Sequence, residues 1–190
     1  MPLEGRIHMA AVLQLKILLK EIKPLIWRRF LVEGRLTFHQ LHEVIQVVMG
    51  WENYHLYEFP FKQFHFGIPE NKHDTEYEDA RKAHLKDFLE KEKQKLNYLY
   101  DFGDGWEHFL VIEKTMEKAN GKKCPVCLDG ARACPPEDCG GIPGYYEALK
   151  ALKDKKNPKN EELLDWLGDY DPEAFSLQQI NKRLASKKFS

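Results

Sequence analysis

The residues best equipped for chemistry lie at positions 97–145, NYLYDFGDGWEHFLVIEKTMEKANGKKCPVCLDGARACPPEDCGGIPGY. All four cysteines of the chain fall there, Cys124, Cys127, Cys134 and Cys139, spaced C-x2-C-x6-C-x4-C. The first pair has the bite of one edge of a tetrahedral zinc site, and a loop rich in proline and glycine gains a staple from such an ion. The second pair is less regular. Leu128-Asp129-Gly130 carries a turn signal that would fold the chain back and set Cys127 close to Cys134. A zinc here would use those two thiols with two of Cys124, Cys139 and His108. The competing reading makes Cys127 and Cys134 small buried hydrophobes and the others incidental thiols.

The same stretch carries carboxylates beside an imidazole. Asp101, Asp104, Glu107 and His108, with Glu137 and Asp138, are the residue types of metal-assisted hydrolysis. They are equally the residues of turns and helix starts: Asp104 between two glycines suits a tight turn, and Asp138 suits capping of the Gly140-Gly141 bend. Gly140, Gly141 and Gly144 ahead of a helix have the look of an anion cradle, although no lysine follows in the loop. Arg28 and Arg29 read as a solvated strand face, with an anion site as the alternative. Trp106, on the strand that leaves the GDG turn, completes the set of candidate binding residues.

Strands and helices must position these groups. Leu13, Leu15, Ile17 and Leu19 alternate with Gln14, Lys16 and Lys20, which predicts a strand over 12–22 that breaks at Lys23-Pro24 and pairs antiparallel with 25–32. Thr37 with Gln40 forms a capping box, Leu36 and Leu41 staple it, and Phe38, Leu41, Ile45, Val48 and Met49 share one face of a helix that Gly50 ends. His39 and His42 on that helix read as ordinary surface or boundary histidines. Two short strands are expected at 55–59 and 61–66, with Pro60 or the residues after it as the turn, then a polar loop over 69–81 and a helical turn over 84–89. A hairpin follows, 96–102 and 106–115, with His108 on the apolar face of Trp106, Leu110 and Ile112. Three helices close the chain, the first opened by Pro143, the second capped by Asn160 and striped with Leu163, Trp166, Leu167 and Tyr170, the third capped by Ser176 with Gln179. The order predicts an α+β fold, a mostly antiparallel sheet with one long helix between strands and a C-terminal group of helices. Residues 10–186 form a single domain in this reading, and 1–9 a disordered lead.

A chain of 190 residues, 43% hydrophobic, can bury one substantial core. Its 29 basic and 30 acidic residues leave no global basic field for a polyphosphate partner. The apolar run at 10–19 is interrupted by Gln14 and Lys16 and lacks a small-residue cleavage site, and no run reaches the ~18 apolar residues of a membrane span. A cytoplasmic location follows as the expectation, and there clustered cysteines favour a metal over a disulfide.

The motifs IWRRF (26–30), TFHQLHEVIQVVMGW (37–51), HLYEF (55–59), YDFGDGWEH (100–108) and CPPEDCGGIPGY (134–145), in this order, resemble the plasmid pRiA4b ORF-3-like family across nearly the whole chain. The resemblance implies an α+β domain carried on plasmids, in mobile elements as a passenger protein, and on bacterial and archaeal chromosomes. It implies no reaction. The leading functional expectation is a binding or scaffolding module that presents the hairpin and the CPPEDCGG loop to a protein or nucleic-acid partner. The alternatives are a metal-dependent hydrolase or nuclease built on the Asp/Glu/His cluster, and a DNA-binding accessory protein using the six basic residues among 16–35.

Overall fold

The alternation of the first apolar run produces the middle of the molecule. In the computed structural model, which describes residues 11–71, 73, 75–89, 91–117 and 124–190, β1 (Ala11–Leu19) buries Leu13, Leu15, Ile17 and Leu19 on one face. It pairs antiparallel with β2 (Trp27–Glu33) on one side and β7 (Trp106–Glu117) on the other. β3 (Tyr57–Phe61), β4 (Phe64–Gly67), β5 (Glu78–Asp79), β6 (Lys95–Tyr100) and β8 (Val126–Ala131) complete an eight-stranded sheet in the order β5-β4-β3-β6-β7-β1-β2-β8. Among the described residues only β4 and β5 run parallel. The expected lead over 1–9 lies outside the described residues.

One helix, α1 (Phe38–Met49), covers the inner face of this sheet, and its ends are fixed locally. Thr37 and Gln40 complete the reciprocal capping box, and Gly50 closes the helix in the left-handed region at φ 104°. Phe38 stacks on Phe66 at 4.0 Å between ring centres, and Leu41, Ile45 and Val48 are fully buried with it; each such side chain contributes about 1.5–3 kcal/mol by leaving water. After the short α2 (Leu85–Phe88), the helices α3 (Gly141–Lys153), α4 (Glu161–Leu167) and α5 (Leu177–Ser186) follow the sheet. The α+β class is therefore as expected, and no helix among the described residues is long and apolar enough to cross a membrane.

Several local expectations change. The first of the two short strands runs on to Phe61, with Pro60 inside it opposite His65, and the turn falls on the residues after Pro60, as the second alternative had it, with Lys62 at φ 54°. β6 ends at Tyr100, since Asp101 turns left-handed, so Phe102 leaves the buried face and is 46% exposed. The Leu128-Asp129-Gly130 turn does not form: Asp129 and Gly130 pair with Arg29 and Arg28 on β2, and the irregularity is absorbed as a bulge. Asn160 makes no side-chain cap; Asn157 instead accepts from the Lys159 amide at the start of a 3-10 turn, Pro158–Asn160, that leads into α4. His42 is not a surface histidine. Its ring is buried against Tyr57 at 3.6 Å, because the helix lies directly over the aromatic row of the sheet.

Candidate metal centre

Three stretches far apart in sequence meet at the C-terminal end of α1. His55 comes from the segment that leads into β3, Asp101 from the turn after β6, and Glu137 with Asp138 from the CPPEDCGG loop. The Nε2 atom of His55 lies 3.1 Å from Asp138 Oδ1, 3.6 Å from Asp101 Oδ2 and 3.9 Å from Glu137 Oε2. It is enclosed by protein yet makes no hydrogen bond. Short separations without hydrogen-bond alignment are what donors around a shared cation show, since ligands each ~2.1 Å from an ion stand about 3–4 Å from one another. His55, Asp101 and Asp138 are the one group of three metal-ligating side chains that converges in this way among the described residues.

Each of these side chains is held by its own surroundings. Asp101 Oδ1 accepts from the amides of Gly103 at 2.9 Å and Asp104 at 3.2 Å, which directs Oδ2 at His55. Asp101 and Asp138 both take the left-handed backbone, at φ 58° and 54°, a conformation Asp tolerates better than most residues. Glu137 Oε1 accepts from the Glu52 amide at 2.8 Å and from the Tyr100 hydroxyl at 3.1 Å. Burial pushes the Glu137 carboxyl above its usual range, although its two hydrogen bonds and His55 oppose this. The His55 segment is anchored from behind by a buried network. Tyr98 hydroxyl meets His42 Nδ1 at 2.8 Å and accepts from Gln46 at 2.9 Å, while His42 Nε2 meets Asn53 Oδ1 at 2.6 Å.

The glycines of CPPEDCGGIPGY act by close packing. A Cβ on Gly141 would meet the Asp104 carbonyl oxygen at 2.6 Å, and one on Gly144 would meet the Cys139 carbonyl oxygen at 1.7 Å. Gly140, left-handed at φ 86°, donates its amide to Asp104 Oδ2 at 3.2 Å. The first turn of α3 thus presses on the turn that carries Asp101 and fixes the two halves of the centre. Asp104, not Asp138, caps the glycine bend, because Asp138 faces His55.

The other candidate residues take different places. Glu107 points to the outer face, where it pairs with Lys20 at 2.6 Å, while His108 is fully buried on the inner face, its Nδ1 3.3 Å from the Tyr98 carbonyl oxygen. Strand alternation separates this pair. Trp106 is a core residue with no exposed surface. Arg28 is neither solvated nor free for an anion: its guanidinium donates to the carbonyls of Val48, Trp27, Ala131 and Arg132 at 2.6–2.8 Å. Arg29 forms a two-pronged pair with Glu113, at 2.6 and 3.0 Å. Lys20 and Arg35 are also paired to carboxylates, so three of the six basic residues among 16–35 are neutralised within the fold.

Nor are the thiols gathered. No three ligand atoms among Cys124, Cys127, Cys134, Cys139 and His108 lie within 4.8 Å of one another, and all four cysteines are free of disulfides. The reason is β8: Cys127 is fixed in a strand, its sulfur 3.6 Å from the carbonyl oxygens of Arg29 and Asp129, and the chain does not fold back there. Burial pushes the Cys134 thiol up to about 11 and Cys139 to about 12, so both stay protonated at neutral pH.

His55 escapes a reading by spacing, since its partners arrive from residues 101 and 138; its only signal was its place in the HLYEF motif. Among known proteins, the chain is 42% identical over 176 residues to an uncharacterised protein, y4hQ, of Sinorhizobium fredii, covering 91% of this chain and 90% of that protein. A crystal structure of a protein of unknown function, MM3350 from Methanosarcina mazei Go1, superposes with a TM-score of 0.81 at 39% identity, over 90% of this chain and 98% of that one. The plasmid pRiA4b ORF-3-like family matches residues 11–179, and the chain belongs to it.

Proposed function

We propose that this protein binds a divalent cation at His55, Asp101 and Asp138, with Glu137 at the edge of the site, and works as a metal-centred binding module. The observation that carries the reading is the enclosed His55 Nε2, which has three carboxylate oxygens at 3.1–3.9 Å and no hydrogen bond. One imidazole with carboxylates suits zinc or manganese better than calcium or magnesium, which take oxygen donors alone. The side chain of Asp138 is 68% exposed, so the centre opens to solvent on that side. A cation bound there supplies Lewis-acid polarisation of a carbonyl or activation of water, the chemistry of metal-assisted hydrolysis. Asp101 supplies a fixed negative charge, Asp104 and Gly140 hold the loops together, and Tyr100 keeps Glu137 turned inward.

Calorimetric titration of the purified, chelator-stripped protein with zinc and with manganese tests this. The expected result is one site per chain that is lost in His55→Ala and in Asp101→Asn, the latter keeping an oxygen for the Gly103 and Asp104 amides. Cys127→Ala and Cys134→Ala leave it intact. A site that survives both ligand substitutions, or that vanishes with the cysteines, overturns the assignment. Absence of any heat with either ion does the same.

A further inference from the structure

Around this centre the surface is apolar where a monomer gains nothing from it. Tyr54 is 73% exposed and Leu56 65%, one on each side of His55 in sequence, and Phe102 follows Asp101 at 46%. Leu56 and the Asp101-Phe102 turn are held together by the Asp101 amide, which donates to the Leu56 carbonyl at 2.9 Å. The Tyr54 amide donates to the Tyr100 hydroxyl at 3.1 Å, which ties the third side chain to the same frame. Exposed large side chains scattered singly are ordinary, whereas several tied to one frame form a candidate contact surface. Two exposed carboxylates stand beside them, Asp138 with 68% and Glu52 with 57% of the side chain in solvent, and Arg183 Nη2 lies 3.6 Å from Glu52 Oε1.

We propose that this rim is a docking surface for a polypeptide segment in which apolar side chains alternate with lysine or arginine. Tyr54, Leu56 and Phe102 take the apolar side chains, and the exposed carboxylates of Glu52 and Asp138 take the cations. The same charge repels a phosphate backbone, so the aromatic rings are not a platform for single-stranded nucleic acid. The surface stands on the rim and its charge and does not need the cation: without an ion the cluster is more acidic, and with one it keeps an acidic excess. Failure of metal binding would therefore leave this inference untouched.

The test is fluorescence anisotropy on the full chain in chelator, which reads the metal-free protein. The probes are a short labelled peptide alternating leucine or phenylalanine with lysine, the same peptide with glutamate for lysine, and a single-stranded thymidine oligonucleotide. The expected result is saturable binding of the lysine peptide, weakened about tenfold or more with glutamate and absent with the oligonucleotide, which corresponds to at least ~1.4 kcal/mol of discrimination. Tyr54→Ser and Phe102→Ser, both at exposed positions and checked for an unchanged melting temperature, each weaken the lysine peptide about fivefold or more. The inference is overturned if the lysine peptide does not bind, if it binds these variants equally, or if the oligonucleotide binds more tightly.

Discussion

His55 and His108 each carry an enclosed Nε2 atom without a hydrogen bond, and the resemblance ends there. Around His108 stand rings: Trp51 at 5.3 Å and Tyr98 at 5.3 Å between ring centres. Around His55 stand carboxylate oxygens. An unpaired nitrogen among aromatic walls costs free energy and offers a cation nothing, because the ion's charge would have no counter-charge in a medium that solvates it poorly. The same nitrogen among carboxylates is part of a donor set. Of the two histidines, the one with the apolar strand pattern around it, which invites attention in the sequence, is structural.

Replacing each histidine separates the two roles. His108→Ala empties a fully buried volume in the core and is expected to cost about 2–4 kcal/mol in urea unfolding, with the metal titration of the folded protein unchanged. His55→Ala, at a partly exposed site, costs less than about 1 kcal/mol in the chelated protein but abolishes the stabilisation by metal. That stabilisation amounts to ~2.7 kcal/mol in the parent when free ion stands at about a hundred times its dissociation constant.

Acid sharpens the contrast further. Burial holds His108 and His42 neutral, lowering each from its ordinary 6.5 to about 3. An unfolded chain takes up these protons near pH 6.5, so the stability gained by keeping both rings neutral is complete above that value and is lost progressively as the pH falls toward 3. The slope is about 1.4 kcal/mol per pH unit for each histidine. Urea midpoints of metal-free protein between pH 7 and 5 should fall accordingly, and His108→Phe should remove part of the slope. The smallest effect belongs to the thiols: Cys127→Ala and Cys134→Ala are each expected to cost about 1 kcal/mol through lost packing, with or without chelator, measured as a shift in melting temperature.

What the sequence disclosed followed the range of the forces involved. The Thr37-Gln40 box, the Gly50 stop and the alternation of β1 and β7 rest on neighbours within a few residues, and all formed as expected. Leu128-Asp129-Gly130 misled because the pairing partners of β8 sit on β2, about a hundred residues earlier in the chain. Arg28 misled for a related reason. Strand charge is usually solvated, but here the ends of α1, β2 and β8 leave the carbonyl oxygens of Val48, Trp27, Ala131 and Arg132 around one guanidinium. The carboxylates of the centre were legible as residue types, yet their imidazole was not, since no local spacing links residue 55 to 101 or 138.

The far edge of the sheet has a consequence for how the protein behaves in bulk. Among the described residues β8 is the last strand, and at Cys127 its outward backbone is met by a side chain instead of a ninth strand. Asn181 of α5 accepts from the Cys127 amide at 2.8 Å and donates to its carbonyl at 2.9 Å, reproducing both bonds of a strand partner. A carboxamide can neither extend the ladder nor offer a further edge, so it ends the sheet where another molecule could otherwise continue it. Chains clipped ahead of residue 176 would lose this terminator together with α5, and turbidity and light scattering should then rise with concentration as one copy's β8 adds to the next.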